Sequence, residues 1–398
     1  MKAGWKTFQL GEILDVQNGY AFDSKFFGAG GMPLIRIRDI KHGTTTETCY
    51  SGDYDDSYVV HSGDYLIGMD GEFRCYMWHG PAALLNQRVC RLTNFSPNVL
   101  PAFVCYGINK YLKEIEDVTG YSTVKHLSSK SILSIQFPLP PLAEQKRIVA
   151  LLDEAFAGIN EAKAKAEEKI LGTKVLFERH IQYLFTKGAP EWKKKTVKDV
   201  TAHHKGAIRT GPFGSQLLHG EFVDKGIAVL GIDNAVSNEF RWGKSRFITP
   251  EKYRQLSRYT VHPGDVIITI MGTCGRCAVV PEDIGTAINT KHLCCITLDR
   301  AQCLPNYLHT YFLYAPQAQD FLSKNAKGSI MAGLNMGLIQ EMPVLLPPLE
   351  TQREFVEAAQ ILRTQTCRLG SIYSEKSTRL VELKFSLLTK AFAGELTA

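Results

Sequence analysis

One helical rhythm dominates residues 143–187, where apolar or small residues fall at Ile148, Leu152, Ala155, Ile159, Ala162 and Ala166 in alternating steps of four and three. That spacing draws a single stripe along an α-helix and predicts a coiled-coil seam. The stretch lacks proline and is dense in Ala, Glu, Lys and Leu, and Gly188 and Pro190 supply its stop. A second stretch of this kind runs from 350 to 391, with Leu362, Leu369 and Leu383 at heptad multiples. A helix of roughly 45 residues is about 68 Å long. One so long and amphipathic needs a partner, and the other stretch supplies it within the same chain.

Ahead of each helical stretch the rhythm changes. Met32-Pro33-Leu34-Ile35-Arg36-Ile37-Arg38 and Asp265-Val266-Ile267-Ile268-Thr269-Ile270 are β-branched runs. The turn clusters His61-Ser62-Gly63-Asp64 and His262-Pro263-Gly264-Asp265 precede the strongest strands. Residues 117–130 and 326–337 read as loops leading to a last strand. A sheet-dominated globule of mixed composition is expected in front of each helix.

These parts recur in order. Trp5-Lys6-Thr7-Phe8-Gln9-Leu10-Gly11-Glu12-Ile13 returns as Trp192-Lys193-Lys194-Lys195-Thr196-Val197-Lys198-Asp199-Val200. The His-x-Gly-Asp cluster returns, and Leu139-Pro140-Pro141-Leu142-Ala143-Glu144-Gln145 returns as Leu346-Pro347-Pro348-Leu349-Glu350-Thr351-Gln352. The period is half the chain, far beyond that of a solenoid. The sequence is therefore a tandem duplication, with globules at 1–140 and 189–347 and helices at 141–188 and 348–398. An α+β fold is expected, in which the two long helices pack antiparallel and relate the globules by a pseudo two-fold axis. Such a molecule suits two similar sites a fixed distance apart, as dimeric DNA readers do with two chains. If the paired helices set that distance, the gap between half-sites follows helix length rather than base contacts.

Composition narrows the class. Of 398 residues, 44% are hydrophobic and 22% charged, which excludes a disordered or collagen-like chain. No apolar run reaches the ~18 residues of a membrane span. The opening Met1-Lys2-Ala3-Gly4-Trp5-Lys6 does not suit a signal peptide, and ten cysteines in such a chain read as reduced thiols, so a cytoplasmic location is expected. The net charge of +6 is compatible with nucleic acid without arguing for it.

The segment from Leu139 to Val149 followed by Leu151-Leu152-Asp153, the opening Trp5…Leu10-Gly11-Glu12-Ile13, and the ending Leu387-Leu388-Thr389-Lys390-Ala391-Phe392-Ala393-Gly394-Glu395-Leu396 resemble type I restriction-modification specificity subunits. With the duplication, the resemblance spans the whole chain; Glu350-Thr351 in place of Ala143-Glu144 is a mild departure. It implies two target recognition domains (1–140 and 189–347) separated by a central conserved helix (141–188) and a distal one (348–398). It further implies a chain without catalytic activity or cofactor. The expected partners are double-stranded DNA with a bipartite target, two methyltransferase subunits carrying S-adenosylmethionine, and restriction subunits carrying ATP and Mg, with no membrane.

The residues agree with a non-catalytic reading, since no amino-methyltransferase motif, dinucleotide fingerprint or P-loop occurs. Asp153-Glu154-Ala155-Phe156 lies in mid-helix and reads as structural. Cys274-Gly275-Arg276-Cys277 with His292, Cys294 and Cys295 has the residue types of a zinc site. The reading preferred is reduced cysteines on buried strands, with no metal. His203-His204 reads as surface loop. DNA contacts are expected from basic or polar residues in loops of the globules: Arg36, Arg38, Lys41, Arg74, Lys125 and His126 in the first, and Arg209, Arg246, Arg276, Lys291 and Lys327 in the second. Arg74 and Arg276 hold equivalent places, and Ser122-Thr123 and Ser329-Ile330 sit in aligned loops. Phe156, Phe177 and Tyr183 are expected on a subunit-docking face of the helices. Two other readings stand beside this one: a coiled-coil tether presenting two protein-binding domains, and the specificity partner of a stand-alone methyltransferase.

Overall fold

The computed structural model of the chain describes residues 4–44, 46–118, 126–188, 191–325 and 334–396. Two units emerge: Met1–Ala166 with Glu375–Ala398, and Glu167–Ser374. Each contains one sheet-rich globule and a segment of each long helix.

In the first unit a four-stranded antiparallel sheet runs in the order Asp15–Asn18, Val89–Thr93, Tyr65–Gly68, Cys75–Met77. A second sheet orders Phe27–Gly28, Cys49–Tyr50, Met32–Ile35, Ala83–Leu85 and Val59–Val60, and Met32–Ile35 pairs with Ala83–Leu85 in parallel. Lys6–Gln9 and Gln136–Leu139 close the globule as an antiparallel pair beside the helix Pro101–Val118. The second unit repeats the plan. Its sheets order Ile208–Thr210, Leu293–Ile296, Val266–Thr269, Cys277–Val279, and Phe247–Ile248, Ile227–Leu230, Ala287–Asn289, Thr260–Val261. Lys193–Thr196 pairs with Pro343–Leu346. Where the first unit has one helix, the second has Pro305–Tyr314 and Pro316–Asn325, because Pro316 cannot continue the first.

The His-x-Gly-Asp clusters owe their recurrence to turn chemistry. Asp64 Oδ2 accepts from the His61 amide and Asp265 Oδ2 from the His262 amide, each at 2.8 Å. Gly63 (φ 99°) and Gly264 (φ 74°) supply the left-handed residue that such a turn needs. Of the segments expected as loops before the last strands, 119–125 and 326–333 lie outside the described residues, and the last residues of each, 129–130 and 336–337, open short helices, Ser129–Leu133 and Met336–Glu341. Ser128 and Asn335 cap them through the Ser131 and Leu338 amides. Periodicity is too short there to announce a helix of one turn.

The long helices are continuous over Leu142–Gly188 and Leu349–Ala393. Gln145 and Gln352 explain the Leu-Pro-Pro-Leu-x-x-Gln motif. Both are fully buried. Gln145 Oε1 accepts from the Leu100 amide at 2.7 Å, and its Nε2 donates to the carbonyls of Asn98 and Pro140 at 2.9 and 2.8 Å. Gln352 makes the same three bonds, to Leu304 at 2.9 Å and to Gln302 and Pro347 at 2.9 Å each. One amide thus ties the start of each long helix to the start of the globule's helix. The prolines bring no N–H to satisfy there.

The predicted seam of the central helix is buried or half-buried at all six positions. In the distal helix, Leu369 and Leu383 are exposed and do not belong to a seam. The inward positions are Phe355, Ala359, Leu362, Thr366, Gly370, Tyr373, Ser377, Leu380 and Lys384, again at steps of three and four. The helices run antiparallel within each unit: Phe156 lies under the Lys384 ammonium in the first, and Phe185 meets Phe355 at 4.4 Å in the second. The C-terminal ends plug the cores, with Phe392 packed on Phe103 at 4.8 Å and Phe185 on Tyr311 at 5.2 Å.

Candidate functional site

At the base of each four-stranded sheet an arginine is locked to the turn aspartate. Arg91 donates to Asp64 at 3.0 Å and to the carbonyl of Val59 at 2.8 Å, and also holds Gln17. Arg209 donates to Asp265 at 2.5 Å, to the carbonyl of Thr260 and to Thr297. The strand registers make Gln17 the counterpart of Arg209 and Arg91 the counterpart of Cys295. The guanidinium therefore occupies the same place in both units but arrives from neighbouring strands. Arg209 is buried, and this corrects its expected place on a DNA-facing loop: its donors are spent inside the protein.

At the other end of this sheet three loops converge. Gly19 packs so closely on the Asn86 main chain that a Cβ would lie 2.1 Å from the Asn86 carbonyl oxygen, and Gly211 stands the same way on Asn289. The Met69 amide donates to the Arg88 carbonyl at 2.8 Å, as Ile270 does to His292 at 2.9 Å. The rim thus formed carries Arg88, Asp70 and His126 in the first unit and Lys291, His292 and Met271 in the second. Asn86 and Asn289, which introduce the basic residues, have buried amide oxygens without a partner among the described residues.

Asp70 is the hub of the first rim. Its Oδ2 accepts from Arg88 Nη1 and its Oδ1 faces His126 Nδ1, each at 2.7 Å. The carboxylate side chain is 11% exposed, whereas that of Arg88 is 62% exposed. Asn18, Gly19, Met69, Gln87 and these three residues line an open cleft. Arg88 was not among the expected contacts. It also carries φ 74°, which an arginine rarely adopts. In the second unit Lys291 and His292 are half-buried, and burial first, then Lys291 and Arg246, hold the His292 imidazole below its ordinary pKa.

The remaining candidates divide by what holds them. Arg36, Arg38 and Lys41 are exposed on one turn after Met32–Ile35, where the Arg36 amide donates to Asp39 Oδ2 at 2.9 Å. Arg74 and Arg276 are equivalent in backbone pairing, to Gly68 and Thr269, but Arg74 is drawn to Glu116 at 3.2 Å while Arg276 is exposed. Arg246 is spent on Asp233 and the Val229 carbonyl. This corrects its expected role as a free contact. Lys125 and Lys327, with Ser122, Thr123, Ser329 and Ile330, lie outside the described residues.

Among the expected docking residues, Phe156 is buried against Tyr106 at 5.5 Å and belongs to the first core, which corrects its place on an open face. Phe177 is half-buried against Tyr314 at 5.2 Å. Tyr183 is 58% exposed, and Leu171, Leu176, Ile361, Ile372 and Phe385 are exposed apolar residues that the sequence reading missed. Their helical positions face away from the seam. Cys277, Cys294 and Cys295 are buried on strands, and burial pushes the Cys294 thiol up to about 12. Among the described residues no group of three or more His, Cys, Asp or Glu is placed to hold a metal ion. No helix among them is long and apolar enough to cross a membrane.

Comparison with known proteins places these features. The model of a family described as type I restriction modification DNA specificity domain matches the chain twice, over residues 2–171 and 190–366. The chain is 30% identical over 416 residues to the EcoBI type I restriction enzyme specificity subunit of Escherichia coli, covering 99% of this chain and 86% of that protein. It is 23% identical to the EcoKI specificity subunit of Escherichia coli, over 92% of this chain and 83% of that one. A chain from a type I restriction-modification system, solved to explain complex assembly and conformational transition, superposes with a TM-score of 0.74 at 19% identity and 99% coverage of both. The HsdS subunit of Thermoanaerobacter tengcongensis does so with 0.58 at 17% identity, covering 99% of this chain and 98% of that one.

Proposed function

The chain belongs to the type I restriction-modification DNA specificity family, and from that premise we propose that it reads a bipartite double-stranded DNA target, one half-site per globule. The observation that carries the reading is the double match over 2–171 and 190–366, paralleled by an antiparallel four-stranded sheet of matching strand order in each unit. The exposed basic residues of the loops, Arg36, Arg38, Lys41, Arg88 and Arg276, with the half-buried Lys291, supply contacts to phosphates and base edges. The exposed apolar residues of the long helices, Tyr183 included, supply docking for two methyltransferase subunits, with restriction subunits joining that assembly. The chain itself performs no chemistry: S-adenosylmethionine belongs to the methyltransferase, and ATP and Mg to the restriction subunit. The assembly works on DNA in the cytoplasm.

The test is to express the chain with a type I methyltransferase partner in a host lacking other DNA methylation and to sequence the methylome. A single split motif is expected. Replacing residues 1–140 by the corresponding domain of a relative should change one half of the motif alone. Methylation of an undivided motif, or change in both halves, would refute the two-module reading. The purified chain with S-adenosylmethionine should transfer no methyl group.

A further inference from the structure

The two rims differ in a way that separates reading a base from holding a phosphate. In the second unit, Lys291 and His292 stand beside Met271, with no acid at the place that Asp70 takes in the first. In the first unit, Asp70 fixes Arg88 through Nη1 at 2.7 Å. A carboxylate so close opposes the approach of a phosphate. It also sets the guanidinium plane, and it leaves Nε and Nη2, without a partner among the described residues, as a donor pair. Two donors in a fixed plane fit the adjacent O6 and N7 acceptors of guanine in the major groove.

The backbone supports this assignment. The peptide of Arg88 is pinned on both sides: Met69 donates to the Arg88 carbonyl, and the Val89 amide donates to the Asn86 carbonyl at 3.2 Å. The left-handed conformation that results would suit glycine better than any residue with a Cβ. The framework alone gives no reason for an arginine there. A strained residue with an exposed, buttressed side chain is a signature of function.

Resting on the specificity-subunit reading, we propose that Arg88 reads a guanine in the half-site bound by the first unit, with Asp70 as its positioning residue. Among the described residues of the second unit no acid stands at the place of Asp70, and the arginine that acts on His292, Arg246, has its Nε and Nη2 spent on the Val229 carbonyl and Asp233.

The test uses the full chain assembled with its methyltransferase. Bound duplexes are selected from a pool randomised at both half-sites, for the wild type and for Arg88→Gly, Arg88→Lys and Asp70→Asn, and thermal stability is measured in parallel. Arg88→Gly should keep or raise stability, because glycine relieves the backbone. It should also lower the preference for guanine at one position of one half-site by about 5- to 150-fold. Arg88→Lys should not restore it, and Asp70→Asn should weaken preference at that same position. The other half-site should stay unchanged in every variant. Arg88→Gly selecting the wild-type bases with undiminished preference would overturn the inference alone, as would a uniform loss of affinity over all sequences, which marks a phosphate contact. A wild-type assembly that selects no sequence would refute the specificity-subunit reading and the inference with it.

Discussion

Replacing Gln145 by alanine should show how much one buried amide contributes at a helix start. The substitution removes the acceptor of the Leu100 N–H and both donors to the Asn98 and Pro140 carbonyls, in a site with no exposure. A buried donor left without a partner costs about 1–3 kcal/mol. The two carbonyls and the void of the lost side chain add to it, for a total of about 3 kcal/mol. Gln352→Ala should cost a similar amount, since its three bonds have the same partners in the other unit. Gln145→Glu gives a sharper signature. Its carboxylate would face two carbonyl oxygens, so burial and those dipoles raise the folded pKa above the unfolded value of about 4.3. The protonated form is then the one favoured by folding. Relative to wild type, the variant should regain stability as pH falls from 7 through the folded pKa, and the gain should be complete below the unfolded one. Urea denaturation of the full chain gives the loss, and hydrogen exchange at the Leu100 amide localises it. If Gln145→Ala lies within about 0.5 kcal/mol of wild type, or the Leu100 amide stays protected, the amide is not the tie described.

Arg209→Ala should destabilise by about 3–5 kcal/mol, because it leaves the buried Asp265 uncompensated; Arg91→Ala should cost less, since Asp64 is partly exposed, and the reverse order in denaturation would refute the lock. Gly107→Ala would place a Cβ 2.3 Å from the Phe392 ring and 2.7 Å from Phe137. The overpacking cost of about 1–3 kcal/mol should outweigh the gain of about 1 kcal/mol in helix propensity, so a raised melting temperature would contradict the seating of Phe392. His309, whose Nε2 donates to the carbonyls of Asn238 and Cys277, has its pKa lowered from 6.5 by burial. The unfolded chain therefore takes up that proton first, and the stability present above pH 6.5 falls as pH drops toward the folded value. His309→Gln should flatten the slope between pH 7 and 5, and an unchanged slope would exclude His309 as its source.

Legibility followed the kind of physics that holds each element. The duplication, the strands and the central helix rest on patterns local in sequence, so they could be read directly. The distal seam could not, because it runs through Thr366, Gly370 and Ser377, where small side chains let the helices approach; Gly370 would bring a Cβ to 3.5 Å from Thr173. Reading only leucines selected Leu369 and Leu383, which face out. Arg209 was misplaced for a related reason. Its partner, Asp265, lies far along the chain, and the available clue was the aspartate itself: an acid at the head of a buried apolar strand needs a cation. Arg88 had no such clue. Asn86-Gln87-Arg88-Val89 contains no glycine to announce a left-handed residue, and Asp70 meets it only once the sheet is formed.

The two copies also show which positions the fold constrains. Where a group closes a buried hydrogen-bond set, the copies agree, even when the chemistry must arrive by another route. The acceptors Asp64 with the Val59 carbonyl, and Asp265 with the Thr260 carbonyl, are matched, while the arginine comes from one strand in the first unit and from its neighbour in the second. The site demands a guanidinium at a point in space, and either strand can deliver it. At the opposite end of the same sheet the close contacts of Gly19 and Gly211 are kept, yet the side chains they present diverge, with Asp70 against Met271 and Arg88 against His292. No buried partner requires those side chains to match. On the proposed reading, in which each globule binds its own half-site, the scaffold needs this division: a rim free to change, mounted on a backbone that is not.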